Sequence, residues 1–118
     1  MSALVLICTA LIMSDGDSGR CVTADGERHR VRLAGIDAGE VAPYTRCRQR
    51  PTIWACSTQG RNSAARATER ARQLAANGAT CRVSSTDRYN RLLATCTANG
   101  RDIGATLLAE GLVRRYGQ

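Results

Sequence analysis

The sequence predicts an α+β fold: a five-stranded Greek-key β-barrel with a helix between strands 3 and 4 and a short C-terminal helix. Five runs rich in Val, Ile, Leu and Thr are typical of strands. Asp-Gly and Asn-Gly dipeptides, which tight turns prefer because both residues can adopt positive φ, lie between some of these runs. One helical segment separates the third run from the fourth. This order is that of the OB-fold, and residues 1–118 have the length of a single domain.

The elements follow in order along the chain. The predicted strands lie at about 4–13, 20–24, 28–36, 80–85 and 91–98. The longer helix spans about 62–76, and its apolar face consists of Ala64, Ala67, Ala71 and Leu74. Gly78 follows this helix as its stop signal, and a shorter helix at about 103–110 ends at Gly111. The segment 41–60 is rich in Pro, Arg and Cys, and we expect it to be a loop.

The charge of the chain favours polyanionic partners. The formal net charge is +7, and all 17 basic residues are arginine. An arginine-biased codon usage accounts for the absence of lysine, whereas the positive sign of the net charge favours nucleic acid. Phe is absent and Trp occurs once, so the sequence does not predict a base-stacking platform. No segment is long and apolar enough to span a membrane.

Six cysteines indicate disulfides and an oxidising compartment. None of them forms a C-x-x-C pair, so their spacing argues against a zinc site. Pairing of neighbours along the chain, 8–21, 47–56 and 81–96, is one of many possible connectivities. We expect a periplasmic or secreted protein. The apolar opening, Ala3 to Met13, lacks the basic region and cleavage site of a signal peptide, so we interpret it as the first strand.

The segment from Val31 to Glu40 carries the clearest chemical signal. It is an apolar strand that begins with Arg32 and ends in two carboxylates, Asp37 and Glu40. Crowded charges destabilise a fold unless a partner, a metal or a substrate compensates them. Hard oxygen ligands suit Ca²⁺ or Mg²⁺, and arginine suits a phosphate. The grouping therefore indicates metal-assisted chemistry on a phosphodiester.

Three segments together resemble the motifs of the staphylococcal nuclease (thermonuclease) family. They are Asp15-Gly-Asp-Ser18, then Val31-Arg-Leu-Ala-Gly-Ile-Asp-Ala-Gly-Glu40, then Asp87-Arg-Tyr-Asn-Arg91-Leu-Leu-Ala94. Each motif alone is weak, but all three occur in the family's order and at its separations around a predicted OB-fold. The resemblance covers roughly residues 8–116 and implies an OB-fold nuclease.

The resemblance implies a calcium site and a general base. Asp17 and Asp37 would bind Ca²⁺ through carboxylate oxygens, and the backbone carbonyl of Ala38 would add a neutral oxygen. Glu40 would orient and deprotonate the attacking water. Asp15 is expected to support the turn instead of binding the metal.

The resemblance also implies the groups that bind the phosphates. Arg32 and Arg91 would hold the scissile phosphate and stabilise charge on the pentacoordinate phosphorus. Arg88 and Tyr89 would contact a terminal phosphate of the bound nucleotide. The alternative for Arg91 is a salt bridge with Asp87 within the turn, which contributes little at a surface.

The expected function is a Ca²⁺-dependent nuclease, acting as a monomer on single-stranded DNA or RNA with little sequence preference and leaving 3′-phosphates. One alternative is an OB-fold module that binds nucleic acid without turnover. Another is a disulfide-stapled interaction domain whose positive surface meets an acidic protein or a membrane.

Several residues depart from the family pattern or allow a plainer interpretation. Gly39 replaces the family's proline, and we expect it to loosen the approach of Glu40. Asn90 replaces a glycine, a mild change because Asn tolerates the left-handed region. Trp54 is expected to pack under the 41–60 loop, His29 to face solvent, and the helix arginines to form a solvated face.

Overall fold

A computed structural model describes residues 4–117 and gives a small mixed α+β fold made mostly of strands, with two α-helices. The strands are β1 (Leu4–Cys8), β2 (Ala10–Met13), β3 (Ser18–Val22), β4 (Arg28–Leu33), β5 (Ile36–Asp37), β6 (Ala79–Thr86), β7 (Leu92–Ala98), β8 (Arg101–Asp102) and β9 (Arg114–Arg115). The helices are α1 (Thr58–Leu74) and α2 (Ile103–Ala109), and two short 3-10 helices cover Thr45–Arg48 and Trp54–Cys56.

The main sheet has the strand order β1-β6-β7-β4-β3-β2, and β8 pairs with β7. Its neighbours are antiparallel except for β4 and β7, which run parallel. The two strands at the ends of this order, β1 and β2, are consecutive in the chain and separated only by Thr9. All five predicted strand runs are therefore confirmed as strands, with the first one divided at Thr9.

The third predicted strand was too long. The run expected at 28–36 ends at Leu33, because Gly35 adopts φ +80° and turns the chain. The chain then resumes as β5, which pairs with β9 in a separate two-stranded sheet. Because of this turn, Asp37 belongs to the small sheet and is not paired in the main sheet. The turns predicted at Gly26 and at Asn99-Gly100 are confirmed by their positive φ angles.

The predicted neighbour-to-neighbour disulfides are all present. Cys8–Cys21 links β1 to β3, and Cys81–Cys96 joins directly opposite residues of β6 and β7. These four cysteines are buried among the apolar side chains of the sheet. Cys47–Cys56 closes the loop that precedes α1. Separate disulfides therefore stabilise the core and this loop.

Helix α1 begins four residues before its predicted start. The hydroxyl of Ser57 accepts a hydrogen bond from the backbone N–H of Gly60 at 3.0 Å and so caps the helix. Ala64, Ala67 and Ala71 face the core as predicted and are buried, whereas Leu74 is partly buried. Small side chains on this face let the helix backbone lie close to the sheet. Neither described helix is long and apolar enough to cross a membrane.

Candidate functional site

Arg32 lies between two carboxylates at the end of β4. Its Nη1 atom is 2.6 Å from Oδ2 of Asp17, and its Nη2 atom is 3.7 Å from Oδ1 of Asp37. Nη2 also donates to the backbone carbonyl of Ile36 at 3.1 Å. The three charged side chains are only 11%, 9% and 16% exposed. One guanidinium thus compensates two carboxylates that are largely removed from water.

The sheet ladder brings Asp17 to this position. Ser18 pairs with Arg32 in the β3–β4 register, so the residue before Ser18 lies beside the end of β4. The Oδ2 atom of Asp17 accepts the backbone N–H of Ala38 at 2.8 Å, and its Oδ1 atom accepts the hydroxyl of Ser18 at 2.9 Å. Burial raises the pKa of Asp17, but its hydrogen bonds and Arg32 together hold that pKa below its usual value. Asp17 is therefore a charged group.

Asp15 supports the turn beside Asp17. Its Oδ1 atom accepts hydrogen bonds from the backbone N–H groups of Asp17 at 3.2 Å and Ser18 at 2.9 Å. Burial, followed by the neighbouring Asp17, raises the pKa of Asp15 to about 7. Asp15 is therefore protonated more readily than Asp17, and Asp17 is the group that keeps its negative charge.

The donors around Arg32 are carboxylate and carbonyl oxygens, the ligand type that hard cations take. Burial and the negative charge of Asp17 raise the pKa of Asp37, even though Arg32 opposes that shift. The carboxylates of Asp17 and Asp37 converge on one guanidinium, and Ala38 adds a backbone carbonyl next in the chain. Within residues 4–117 no cluster contains three or more His, Cys, Asp or Glu side chains placed to hold a metal. These donors fit an oxygen-coordinated ion that also takes neutral oxygens.

Glu40 is held by the disulfide-closed loop. Its backbone N–H donates to the carbonyl of Ala55 at 2.9 Å, and its carboxylate is 3.5 Å from Nε of Arg46. Arg46 precedes Cys47 and Ala55 precedes Cys56, so both of these contacts lie beside the same disulfide. The Glu40 side chain is 15% exposed. The loop therefore holds the backbone of Glu40, and Arg46 of the same loop contacts its carboxylate.

Gly39 is packed tightly, contrary to the looseness expected for glycine at this position. A Cβ atom on Gly39 would lie 1.7 Å from the carbonyl oxygen of Gly60 and 3.1 Å from Cβ of Ala64. Gly39 is buried against the first turns of α1. Glycine is required here because the chain passes directly over the helix backbone, which leaves no space for a proline ring.

A tight turn positions Arg91. The carboxylate of Asp87 accepts the backbone N–H groups of Tyr89 and Arg91, each at 2.9 Å, and contacts Nε of Arg91 at 2.8 Å. Asn90 adopts φ 65°, the left-handed conformation that its side chain tolerates. Burial raises the pKa of Asp87, but these hydrogen bonds outweigh it and leave the pKa below its usual value. Arg91 is thus paired with Asp87, and the turn points both into a shared cavity.

An open cavity of about 620 Å³ brings most of the predicted residues together. The predicted site residues that line it are Arg32, Asp37, Arg88, Tyr89 and Arg91. Asp17, Ala38 and Glu40 do not line it; Asp17 contacts the lining residue Arg32, and Glu40 contacts the lining residue Arg46. Guanidinium groups dominate the charge of the cavity, so it is suited to a phosphate-bearing ligand.

Comparison with known families decides the family of the chain. The model of the family described as staphylococcal nuclease homologue matches residues 30–118. The chain belongs to this family. The match includes the second and third motifs, whereas Asp15 and Asp17 precede the matched residues. No curated protein matches the chain. Members of this staphylococcal nuclease homologue family are generally nucleases, so the cavity belongs to a nuclease-like domain.

Three residues of this nuclease homologue were missed by the sequence reasoning. Arg46, Arg50 and Tyr116 line the cavity, and the Arg32 guanidinium lies 5.8 Å from the centre of the Tyr116 ring. The arginine-rich composition of the loop was the only signal for the first two. Tyr116 reaches the cavity because β9 pairs with β5, and its backbone N–H donates to Gly35. A two-residue pairing between distant segments leaves no pattern in the sequence.

Proposed function

We propose that this domain is a Ca²⁺-dependent nuclease that hydrolyses single-stranded DNA or RNA with little sequence preference and leaves 3′-phosphates. The observation that carries the proposal is the position of Arg32, which contacts the buried carboxylate of Asp17 and the partly buried one of Asp37 and also lines the cavity that contains Arg91. A phosphodiester in this cavity would meet guanidinium groups beside a hard-cation donor set. Positive groups and a cation at one phosphate favour attack of water on phosphorus and release of the leaving oxygen.

Arg32 and Arg91 are proposed to hold the scissile phosphate. Each carries a permanent positive charge and can donate two hydrogen bonds to phosphate oxygens. Arg32 would exchange part of its contact with Asp17 and Asp37 for the phosphate, which frees those carboxylates for the ion. Asp17, Asp37 and the carbonyl of Ala38 would hold Ca²⁺. When bound, Ca²⁺ supplies positive charge that neutralises the phosphodiester.

Glu40 is proposed as the general base. An ordinary glutamate is a weak base, so its position relative to the attacking water matters more than its basicity. The contact with Arg46 places the Glu40 carboxylate next to a residue of the cavity wall. Arg88 and Tyr89, which line the same cavity, are proposed to bind a terminal phosphate. A hydrogen bond of 2.9 Å from Arg88 to the Tyr89 hydroxyl supports their action as a pair.

We also infer that the main sheet closes into the five-stranded OB barrel. The strands at its two ends, β1 and β2, are separated by a single residue, so one bent strand pairs with β6 at one end and β3 at the other. The disulfides support a periplasmic or secreted location.

We propose that the domain acts as a monomer.

The competing proposal is a binding module that keeps the basic cavity but has no turnover. Glu40 argues against it, because a carboxylate beside phosphate-binding arginines weakens anion binding without contributing a contact. The tight packing of Gly39 favours the enzyme, since it fixes the chain just before Glu40.

The proposal is tested by incubating oxidised protein with denatured DNA, once with Ca²⁺ and once with chelator. We expect cleavage only with Ca²⁺, and fragments whose 3′ ends become extendable by a polymerase only after phosphatase treatment. Cleavage that is unchanged in chelator, or fragments with free 3′-hydroxyls, would contradict the mechanism. Binding of DNA without any cleavage would favour the binding module.

A further inference from the structure

A second cavity of about 770 Å³ lies beside the N-terminal half of α1. It is lined by Trp54, by the first turns of α1 and by residues of the 111–114 segment. Its charged residues are two arginines, Arg66 and Arg114, and no acidic side chain of the described residues lines it. Neutral hydrogen-bonding side chains, including Gln59 and Asn62, complete the wall. The cavity is therefore suited to an anion that also carries polar groups.

Arg114 joins this second cavity to the first one. In the pairing of β5 with β9, Arg114 is opposite Asp37, which lines the first cavity. Arg114 itself lines the second cavity. A ligand that extends past Asp37 along this pairing would pass from one cavity into the other. The β5–β9 pairing thus places a lining residue of the second cavity beside a lining residue of the first.

The two arginines of the second cavity are available to an anion. The guanidinium of Arg114 lies 5.0 Å from the centre of the Trp54 ring, and its Nε atom is buried without a hydrogen-bond partner among the described residues. A buried N–H group without a partner is unfavourable unless a ligand or water satisfies it. Arg66 is exposed on α1, and neither arginine forms an ion pair within residues 4–117. Neither guanidinium is therefore held by a carboxylate of the described residues, although the charge of Arg114 acts on nearby Asp37.

We propose that the second cavity binds the sugar-phosphate backbone of a single strand whose scissile phosphate lies in the first cavity. Arg66 and Arg114 bind phosphates, and Gln59 and Asn62 donate to polar groups of the strand. This inference rests on the proposed function and adds an extended site to it. Single strands occupy roughly 4–16 nucleotides on OB-folds, which is more than one cavity accommodates. Arg66 belongs to the face of α1 that the sequence predicted to be solvated, and in this proposal that face contacts the substrate.

The consequence is a preference for longer substrates. A dinucleotide with a 5′-phosphate would fill the first cavity alone, whereas an oligothymidylate of about 12 nucleotides would fill both. Trp54 is the only tryptophan of the chain, so its fluorescence reports on the second cavity directly. The 12-mer should change this fluorescence, and the dinucleotide should change it much less.

The test compares binding of these two ligands in chelator, so that no cleavage occurs. Arg66→Glu is compared with Arg82→Glu, an equal charge reversal at an exposed position of β6 that lines neither cavity. Arg66→Glu should lower affinity for the 12-mer about tenfold, reduce the salt slope by about 0.7 for each lost phosphate contact, and leave dinucleotide affinity unchanged. Arg82→Glu should leave the difference between the two ligands intact.

Two kinds of failure are distinguishable. Equal effects of Arg66→Glu and Arg82→Glu on the 12-mer, or equal wild-type affinities for the two ligands, would overturn the extended site while leaving the first cavity as the binding site. Absence of binding for both ligands would overturn the extended site, and absence of Ca²⁺-dependent cleavage of denatured DNA would separately overturn the proposed function.

Discussion

The two halves of the candidate site are held in place by different means. The carboxylates on the sheet side, Asp17 and Asp37, are positioned by strand pairing and by the charge of Arg32. Glu40, on the loop side, is positioned by close packing of Gly39 on α1 and by a loop that Cys47–Cys56 closes. The sheet side depends on electrostatic compensation, and the loop side depends on steric fit.

Because the two sides are supported differently, mutations on them should affect stability and activity to different extents. A change on the sheet side removes a buried charge partner, so it should lower both the stability of the fold and its activity. A change on the loop side should displace Glu40 while the sheet and its calcium ligands stay in place. Matched variants on the two sides therefore test whether the site consists of two separately supported parts.

Arg32→Ala should have the largest combined effect on stability and activity. It leaves the buried carboxylate of Asp17 and the partly buried one of Asp37 without their partner, so we expect a loss of about 3–5 kcal/mol in unfolding free energy, chiefly through Asp17. Loss of the phosphate contact should lower kcat by about 10²–10³-fold. Urea unfolding and single-turnover cleavage measure the two effects. Arg91→Ala is the control: it should reduce kcat similarly but lower stability less, because Arg91 pairs with one carboxylate within a turn whereas Arg32 compensates two.

Gly39→Ala should have the next largest effect. The new Cβ atom would collide with the carbonyl of Gly60, so the 38–40 segment must move away from α1. A displacement of about an ångström at Glu40 can lower the rate by ~10²-fold, and overpacking lowers stability by about 1–3 kcal/mol. Gly104→Ala is the matched control, because its nearest neighbours lie at ordinary contact distances of 3.5–3.8 Å. Equal activities of the two variants would show that Gly39 does not position Glu40.

Removal of individual disulfides should have a smaller effect on kcat, and the two disulfides should differ in what they support. Replacement of Cys47 and Cys56 by Ala should lower kcat about tenfold, because the loop that contacts Glu40 becomes less ordered. Replacement of Cys81 and Cys96 by Ala should lower the unfolding free energy by about 2–4 kcal/mol and leave kcat of the folded protein unchanged. Thermal unfolding and cleavage assays below the transition distinguish the two. The opposite pattern would contradict the division of the site.

Asp87→Asn should have the smallest effect. Since the folded-state pKa of Asp87 lies below its unfolded value, its charge contributes stability above about pH 4, and this contribution disappears as the pH falls through the folded pKa. The variant should be less stable than wild type by about 0.2–1 kcal/mol at pH 7. The difference should vanish in acid. A difference that persists below the folded pKa would show that the carboxylate charge does not support the Arg91 turn.

The sequence contained enough information for the main elements. Alternating apolar residues and the dipeptides at Gly26 and Asn99-Gly100 locate strands and tight turns, because these are local properties of the backbone. Ser57 was the missed signal for the start of α1, since a capping serine can be recognised from the sequence. The division at Thr9 depends on pairing with two different strands, which local patterns do not contain.

Less of the candidate site than of the fold could be predicted from the sequence. Motif spacing brought Arg32, Asp37 and Arg91 into one hypothesis, and the structure places all three around one cavity. The close approach of Gly39 to Gly60 depends on how a loop crosses a helix. Likewise, Tyr116 reaches the site only through the pairing of β5 with β9. Contacts between segments distant in the chain explain why these residues were missed.

The most direct test of the central claim is cleavage of denatured DNA by wild type and by Glu40→Gln, each with Ca²⁺, together with DNA binding in chelator. The substitution keeps the size of the side chain and removes the base. If Glu40 deprotonates the attacking water, kcat should fall by about 10²–10⁴-fold while affinity for DNA stays the same or rises. Equal cleavage by the two proteins would contradict the account.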